Sequence, residues 1–146
     1  MASKLNIYYV AASETMRSGI LPRILAYVGA ITVERDDKEE IKQAAEELFG
    51  LLLKENDIFP QEVVGVFITV TPDLHSIFPA QAIREKEEFR YIPLICAQEI
   101  KIEGALEKCI RFLALAYTDK EPVDIHHLYL RKASSLREDF NWGKNL

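Results

Sequence analysis

Apolar residues fall in short runs of differing period along the chain, and each run predicts an element. Val63 to Val70 (VVGVFITV) is rich in Val, Ile and Phe and reads as a strand. Thr71-Pro72-Asp73 stops it, because Pro lacks the ladder donor and Asp suits a turn. Leu74 to Phe78 is then an irregular loop, and Pro79 suits the first turn of a short helix over Ala80 to Glu88, with Ala82 and Ile83 inward. Ahead of this unit, Ile24 to Val28 is a strand candidate, and Gly29 to Val33 reads as its continuation or a bend. Asp36 is placed to cap a helix, with Glu39 three residues on as a capping box requires. Ile41, Ala44, Ala45, Leu48, Leu51 and Leu52 recur at helical spacing to about Asn56.

Beyond the central unit, Tyr91 to Cys96 is a second strand, and Pro93 suggests an edge position or an irregularity. Gln98 to Glu103 is polar and mixed, and Gly104 to Glu107 reads as a turn of helix or a loop. Ile110 to Tyr117, apolar apart from Arg111, is the best central strand, and Ile125 to Leu130 reads as a last short one. Arg131 to Leu146 is a mixed helical turn and a polar tail. Four or five strands and two clear helices predict one α/β (α+β) domain, with one sheet and helices on one side of it. The other sheet face would be bare and would be covered by association. Residues 1–22 form an atypical N-terminal extension, read as an added strand, a disordered tail or a wrongly assigned start; 23–139 form the domain and 140–146 a C-terminal tail. The apolar stretch Leu5 to Ala12 is too short to cross a bilayer and has only Lys4 before it, a poor start for a signal peptide.

The 146 residues are 49% hydrophobic and 28% charged, enough for one real core. Eighteen basic against 23 acidic residues give a net charge of −5 with no basic stripe, which argues against a nucleic-acid partner. An anionic metabolite remains compatible, because a few local arginines can outvote a mildly acidic surface. Cys96 and Cys109 read as two free thiols in a reducing cytoplasm, although the spacing leaves a disulfide open. No CxxC, HExxH or glycine-rich phosphate loop occurs, and His75, His126 and His127 have no metal-ligand spacing with the cysteines.

Among candidate chemical groups Arg111 stands out. An always-charged guanidinium in an apolar run must be paired or reach a cavity. It is either a salt-bridged residue at a strand start or a ligand-facing cation. Arg84 and Arg137 alone read as solvated charges, Glu99 as an exposed strand-end residue, Tyr129 as a core aromatic with a boundary hydroxyl, and Cys96 as a small buried hydrophobe. His75 has no Ser or Cys partner at a diagnostic spacing.

Taken together, GAITVERD (29–36), TPDLHSIFPAQAIRE (71–85), YIPLICAQEI (91–100), CIR (109–111) and HLYLRKASSLR (127–137) resemble the small, non-helical, trimeric chorismate mutases. The resemblance runs from about Gly29 to Asp139. It implies a mixed sheet packed with helices, in a homotrimer built as a pseudo-α/β-barrel, with sites at subunit interfaces, that rearranges chorismate to prephenate. No cofactor, metal or covalent intermediate is implied. By resemblance, Arg111 stabilises the ether oxygen, Glu99 accepts from the substrate hydroxyl, and Arg84 enters from the neighbouring subunit. Phe78 and Ala80 form an apolar wall, Cys96 lines the pocket, Tyr129 helps hold a carboxylate, and Leu136 and Arg137 belong to a shielding tail. The family carries an Arg directly before GAITVERD; here that position is Val28. Gln81 stands where Lys is frequent and Ile95 where a small hydroxyl residue is frequent. Arg17 and Arg23 are the nearby candidates to replace the missing cation. The alternatives are a weakly active or inactive relative that binds a chorismate-like dicarboxylate, and a purely structural protein.

Overall fold

The computed structural model describes residues 23–139. The expectations for the extension 1–22, including Arg17, and for the tail 140–146 lie outside the described residues. Seven main elements follow in order: β1 (Arg23–Thr32), α1 (Lys38–Glu55), β2 (Val63–Val70), α2 (Ala80–Arg84), β3 (Leu94–Gln98), β4 (Cys109–Thr118) and β5 (Leu128–Leu130). The strands form one sheet in the order β3-β2-β4-β1-β5. β4 runs antiparallel to both β1 and β2, while β3 and β5 are parallel to their neighbours.

The mixed sheet with packed helices agrees with the sequence reading, but the expected barrel does not form. The sheet is open, and β3 and β5 are its two unjoined edges. β5 has three residues and β3 five; strands this short at the margins leave no ladder long enough to close the sheet. Pro93 correctly marks β3 as an edge. The strand starts at Leu94 rather than Tyr91, since Pro93 cannot donate and instead accepts from Val66 N at 2.9 Å.

Period-two alternation on β4 sorts the layers. Ile110, Phe112, Ala114 and Ala116 are buried on the inner face under α1. The helix supplies Ile41, Ala44, Ala45, Leu48, Phe49, Leu52 and Leu53. Phe49 packs edge-on against Phe112 at 6.0 Å and against Phe89 at 4.9 Å. Asn56 ends α1 inside the protein. It donates to Leu52 O at 2.9 Å and His126 O at 2.8 Å and accepts from His126 N at 2.8 Å. That lock ties the helix end to the approach to β5, and a 3-10 turn at Pro122–Asp124 occupies the chain before it. The last strand is therefore shorter than Ile125 to Leu130.

Two local expectations need correction. The cap of α1 is Asp37, whose Oδ1 accepts from Glu39 N and Glu40 N at 3.1 Å each. Asp36 points instead at the loop after β2. The second helix stops at Arg84, and a 3-10 turn at Glu87–Phe89 follows it.

Among the described residues, no α-helix packs on the outer face. Ile24, Phe67, Ile95, Leu113 and Tyr117 are exposed there, Ile95 by 58% and Phe67 by 50%. A contiguous apolar face of this kind marks an interaction surface. Only its far end is covered, where Leu106, Ala133 and Leu136 pack with Ala30, Cys109 and Tyr129.

Gly29, on the inner side of β1, lets α1 approach the sheet. A Cβ there would sit 2.9 Å from Leu48 Cδ1 and 3.2 Å from its Cγ, and Leu48 is fully buried. Gly29→Ala should cost about 1–3 kcal/mol by overpacking. The check is a lower urea midpoint at unchanged slope; an unmoved midpoint would mean that Leu48 yields freely.

Candidate active site

Register places five residues in one row across the outer face. Ala97 pairs with Thr69, Thr69 with Arg111, Arg111 with Ala30, and Ala30 with Tyr129. Each comes from a different strand, and Arg111 is in the middle. Arg111 Nε lies 2.9 Å from Glu99 Oε1. Its N–H is not aimed at that oxygen and makes no hydrogen bond among the described residues, so the contact is an ion pair. Thr69 Oγ1 donates to the same Oε1 at 2.6 Å. Glu99 is fixed by its own backbone as well, where its N–H donates to Val70 O at 2.8 Å. The Arg111 side chain is still 39% exposed and the Glu99 side chain 22%. A guanidinium with five donors thus keeps hydrogen-bonding capacity beyond the ion pair.

Tyr129 is buried at the end of the row. Burial raises its phenol above the ordinary value, and nearby Arg137 and Arg111 partly oppose that rise. The phenol is a protonated donor at neutral pH. Arg137 contacts Tyr129 and is held by Asp139 through Nε to Oδ1 at 3.0 Å and Nη2 to Oδ2 at 2.8 Å. Leu136 is half-buried one residue earlier, against the Ala30–Cys109–Tyr129 cluster. Of the residues the sequence nominated, Arg111, Glu99, Tyr129, Leu136 and Arg137 thus lie at one end of this face. Arg111 is salt-bridged, as one reading had it, and its side chain also keeps solvent-exposed surface.

The remaining candidates lie elsewhere. Cys96 pairs with Ile68, an inner-face residue, so it faces away from Arg111. It lines a groove of about 690 Å³ at the β3 edge together with Phe78, Pro79, Gln81, Gln98 and Lys42. Phe78 is 71% exposed and Ala80 is buried beside it. Arg84 is exposed, close enough to act electrostatically on Cys96, and makes no ion pair among the described residues. Burial raises the Cys96 thiol above its usual value, with the Ala80 backbone and Arg84 opposing. Burial pushes Cys109 up to about 11. Neither is poised as a thiolate nucleophile, and both are free.

Val28 faces the same side as Arg111, one row over, opposite Leu113. Its backbone N–H donates to His127 Nδ1 at 3.0 Å. Arg23, one of the two arginines near Val28 in sequence, does not lie beside it. It is bound to Glu121, with Nη1 at 3.1 Å from Oε2, at the opposite end of β1 and five residues (28 − 23) from Val28, about 16 Å along a strand. Thr69 was missed by sequence reasoning: it looks like one more β-branched strand residue until register sets it between Ala97 and Arg111. Among the described residues, no group of three or more His, Cys, Asp or Glu could hold a metal ion, and no helix is long and apolar enough to cross a membrane.

The family model described as chorismate mutase type I matches residues 24–140. The chorismate mutase AroH of Bacillus subtilis (strain 168) is 44% identical over 117 residues, covering 80% of this chain and 92% of that protein. The chorismate mutase AroH of Thermus thermophilus is 46% identical over 112 residues, covering 76% and 91%. A solved chorismate mutase from Clostridium thermocellum superposes with a TM-score of 0.74 at 35% identity, covering 76% of this chain and 98% of that one.

Proposed function

This chain belongs to the type I chorismate mutase family, and on that premise we propose how it converts chorismate to prephenate. The reaction is an intramolecular Claisen rearrangement. One ether C–O bond breaks while one C–C bond forms, and no group leaves the molecule. Catalysis therefore consists of holding the reactive folded shape and stabilising charge that develops on the ether oxygen. Fixed cations and donors supply both, without cofactor or nucleophile.

The observation that carries the reading is the Arg111–Glu99–Thr69 cluster on the open sheet face. Arg111 is the electrostatic residue for the ether oxygen. Glu99, with Oε1 occupied by Thr69 and Arg111, accepts from the substrate hydroxyl through Oε2. Tyr129 donates to a substrate carboxylate, and Arg137 and Leu136 cover the same end. Phe78, Ala80, Cys96 and Arg84 lie around the β3-edge groove rather than beside Arg111. A complete site thus needs the groove residues of one copy set against the Arg111 face of another. The exposed apolar outer face supplies a surface for that contact. The assembly is a homotrimer with shared sites, and Arg84 crosses to the neighbouring copy. The compartment is the cytoplasm, in keeping with two free thiols.

A second reading keeps the binding but weakens the catalysis. Val28 offers no donor at the position before GAITVERD, so a chorismate-like dicarboxylate would bind there with one fewer cation. Direct measurement of the loss of chorismate absorbance separates an active enzyme from an inactive relative.

Three outcomes are expected. Sedimentation at micromolar protein gives about three times the 16.7 kDa chain mass, and a fully active monomer would contradict the shared site. Arg111→Ala lowers kcat/KM by about 10²–10⁴, equivalent to about 3–5 kcal/mol of transition-state stabilisation, with the fold intact by circular dichroism. Activity within about threefold of the parent would remove Arg111 from its role. Val28→Arg raises kcat/KM by about tenfold, since a charge-assisted hydrogen bond contributes about 1.5–3 kcal/mol. An unchanged value would mean that position 28 does not touch substrate.

A further inference from the structure

We infer that Asp36 is a positioning residue for this reaction: it fixes the 74–78 loop that presents Phe78, and so sets how tightly the substrate is held. The inference rests on the site reading above, in which Phe78 walls the shared site.

The geometry singles out Asp36 for its number of contacts on one short loop. Its Oδ1 accepts from the backbone N–H of both His75 and Ser76, each at 3.0 Å. Its own carbonyl accepts from Ser76 Oγ at 2.9 Å, and His75 Nδ1 lies 3.1 Å from Oδ2. The carboxylate is largely sheltered, with 18% of the side chain exposed, whereas the His75 side chain is 76% exposed. Burial works to raise this carboxyl, but the hydrogen bonds from His75 and Ser76 prevail and lower it. The group is an ionised acceptor at neutral pH.

Helix capping does not account for Asp36, because Asp37 caps α1 by itself. Among the described residues, the loop's other ties are at Leu74, at Ile77, which packs against the core, and at Phe78. Leu74 is buried and its N–H donates to Thr71 O at 3.0 Å. Phe78 stands out into solvent and its carbonyl accepts from Gln81 N at 3.0 Å as α2 begins. Between these points, residues 75 and 76 are held by Asp36. An exposed aromatic ring serves as a wall only if its backbone is held in one place, because ordering it on binding would otherwise weaken affinity. Two successive amides converging on one charged oxygen supply that rigidity.

The test compares Asp36→Ala with Asp36→Asn, using chorismate as substrate and trimers verified by sedimentation and circular dichroism. Asn keeps a neutral oxygen that can still accept both amides; Ala keeps none. Asp36→Ala should raise KM by tenfold or more with kcat within about threefold, and amide exchange of His75 and Ser76 should accelerate. Asp36→Asn should restore KM to within about threefold of the parent. A parental KM for Asp36→Ala in a folded trimer overturns the inference, and so does an Asp36→Asn enzyme as impaired as Asp36→Ala. If Asp36→Ala does not fold, Ser76→Ala decides: it removes one hydroxyl contact and should raise KM two- to fivefold, whereas a parental KM overturns the proposal. Arg111→Ala in the same assay separates the two levels. If it retains activity, the site reading fails and this inference with it; if it is dead while Asp36→Ala is normal, this inference alone fails.

Discussion

A guanidinium in the middle of a sheet has to be neutralised where it stands, and much of this structure follows from how that is done. β4 is flanked by β1 and β2, so Arg111 cannot escape to a strand edge. Alternation turns it to the outer face while Ile110 and Phe112 fill the core. Glu99 meets it from the end of β3, and Thr69 from β2 holds Glu99 in place. The arrangement leaves the cation partly open. Full burial would call for every donor to be paired, and full exposure would let water screen it. A half-sheltered, half-paired arginine is the state in which an anionic partner gains most from meeting it.

That state exists only because the sheet is covered on one side. α1 and α2 lie on the inner face, and the outer face keeps Phe67, Ile95 and Leu113 exposed next to the charged row. Apolar surface of this extent and a partly open charge pull in the same direction. Covering the face with a second copy would remove the apolar area from water and lower the dielectric around Arg111. Assembly and catalysis, in the proposed mechanism, therefore draw on the same surface. The groove residues fit this logic. Cys96 faces the helix side of β3, so nothing in one chain turns it toward Arg111.

Much of the fold was legible because it rests on local rules. The all-apolar run around Arg111 gave the central strand, Pro93 the edge, and the 3.6-residue period the long helix. Where local rules were degenerate, the reading slipped by one residue. Asp36 and Asp37 are both good caps with acidic residues three positions on, and only the chain's path decides which turns toward the helix. Pairings across the sheet were beyond sequence periodicity. Thr69 and Glu99 are thirty residues apart (99 − 69), and nothing local to either indicates the other. The barrel failed for a similar reason. Strand count and order do not say whether edges meet, and here the short β3 and β5 remain separate edges.

The first strand shows how a departure can leave the scaffold intact while changing the site. At Val28 the backbone has a definite role: its N–H satisfies His127 Nδ1 just before the β1–β5 ladder begins. That bond is independent of the side chain, so the strand forms with Val as readily as with a charged residue. What changes is the electrostatics beside Leu113. His127 does not restore the charge, since burial and then Arg137 lower its pKa, and a ring nitrogen accepting an amide hydrogen bond is unprotonated there. Arg23 is held by Glu121 at the far end of the strand. Among the described residues, the arginines around the proposed site are Arg111 and Arg137 on the outer face and Arg84 at the groove, where Lys38 and Lys42 also lie. Of these, Arg137 is already held by Asp139, and in the proposed assembly Arg84 would contribute from a second copy. In the proposed site, Arg111 would therefore carry a larger share of the positive potential than it would with a charged neighbour one row away, and its ion pair with Glu99 would control how much of that potential the substrate meets.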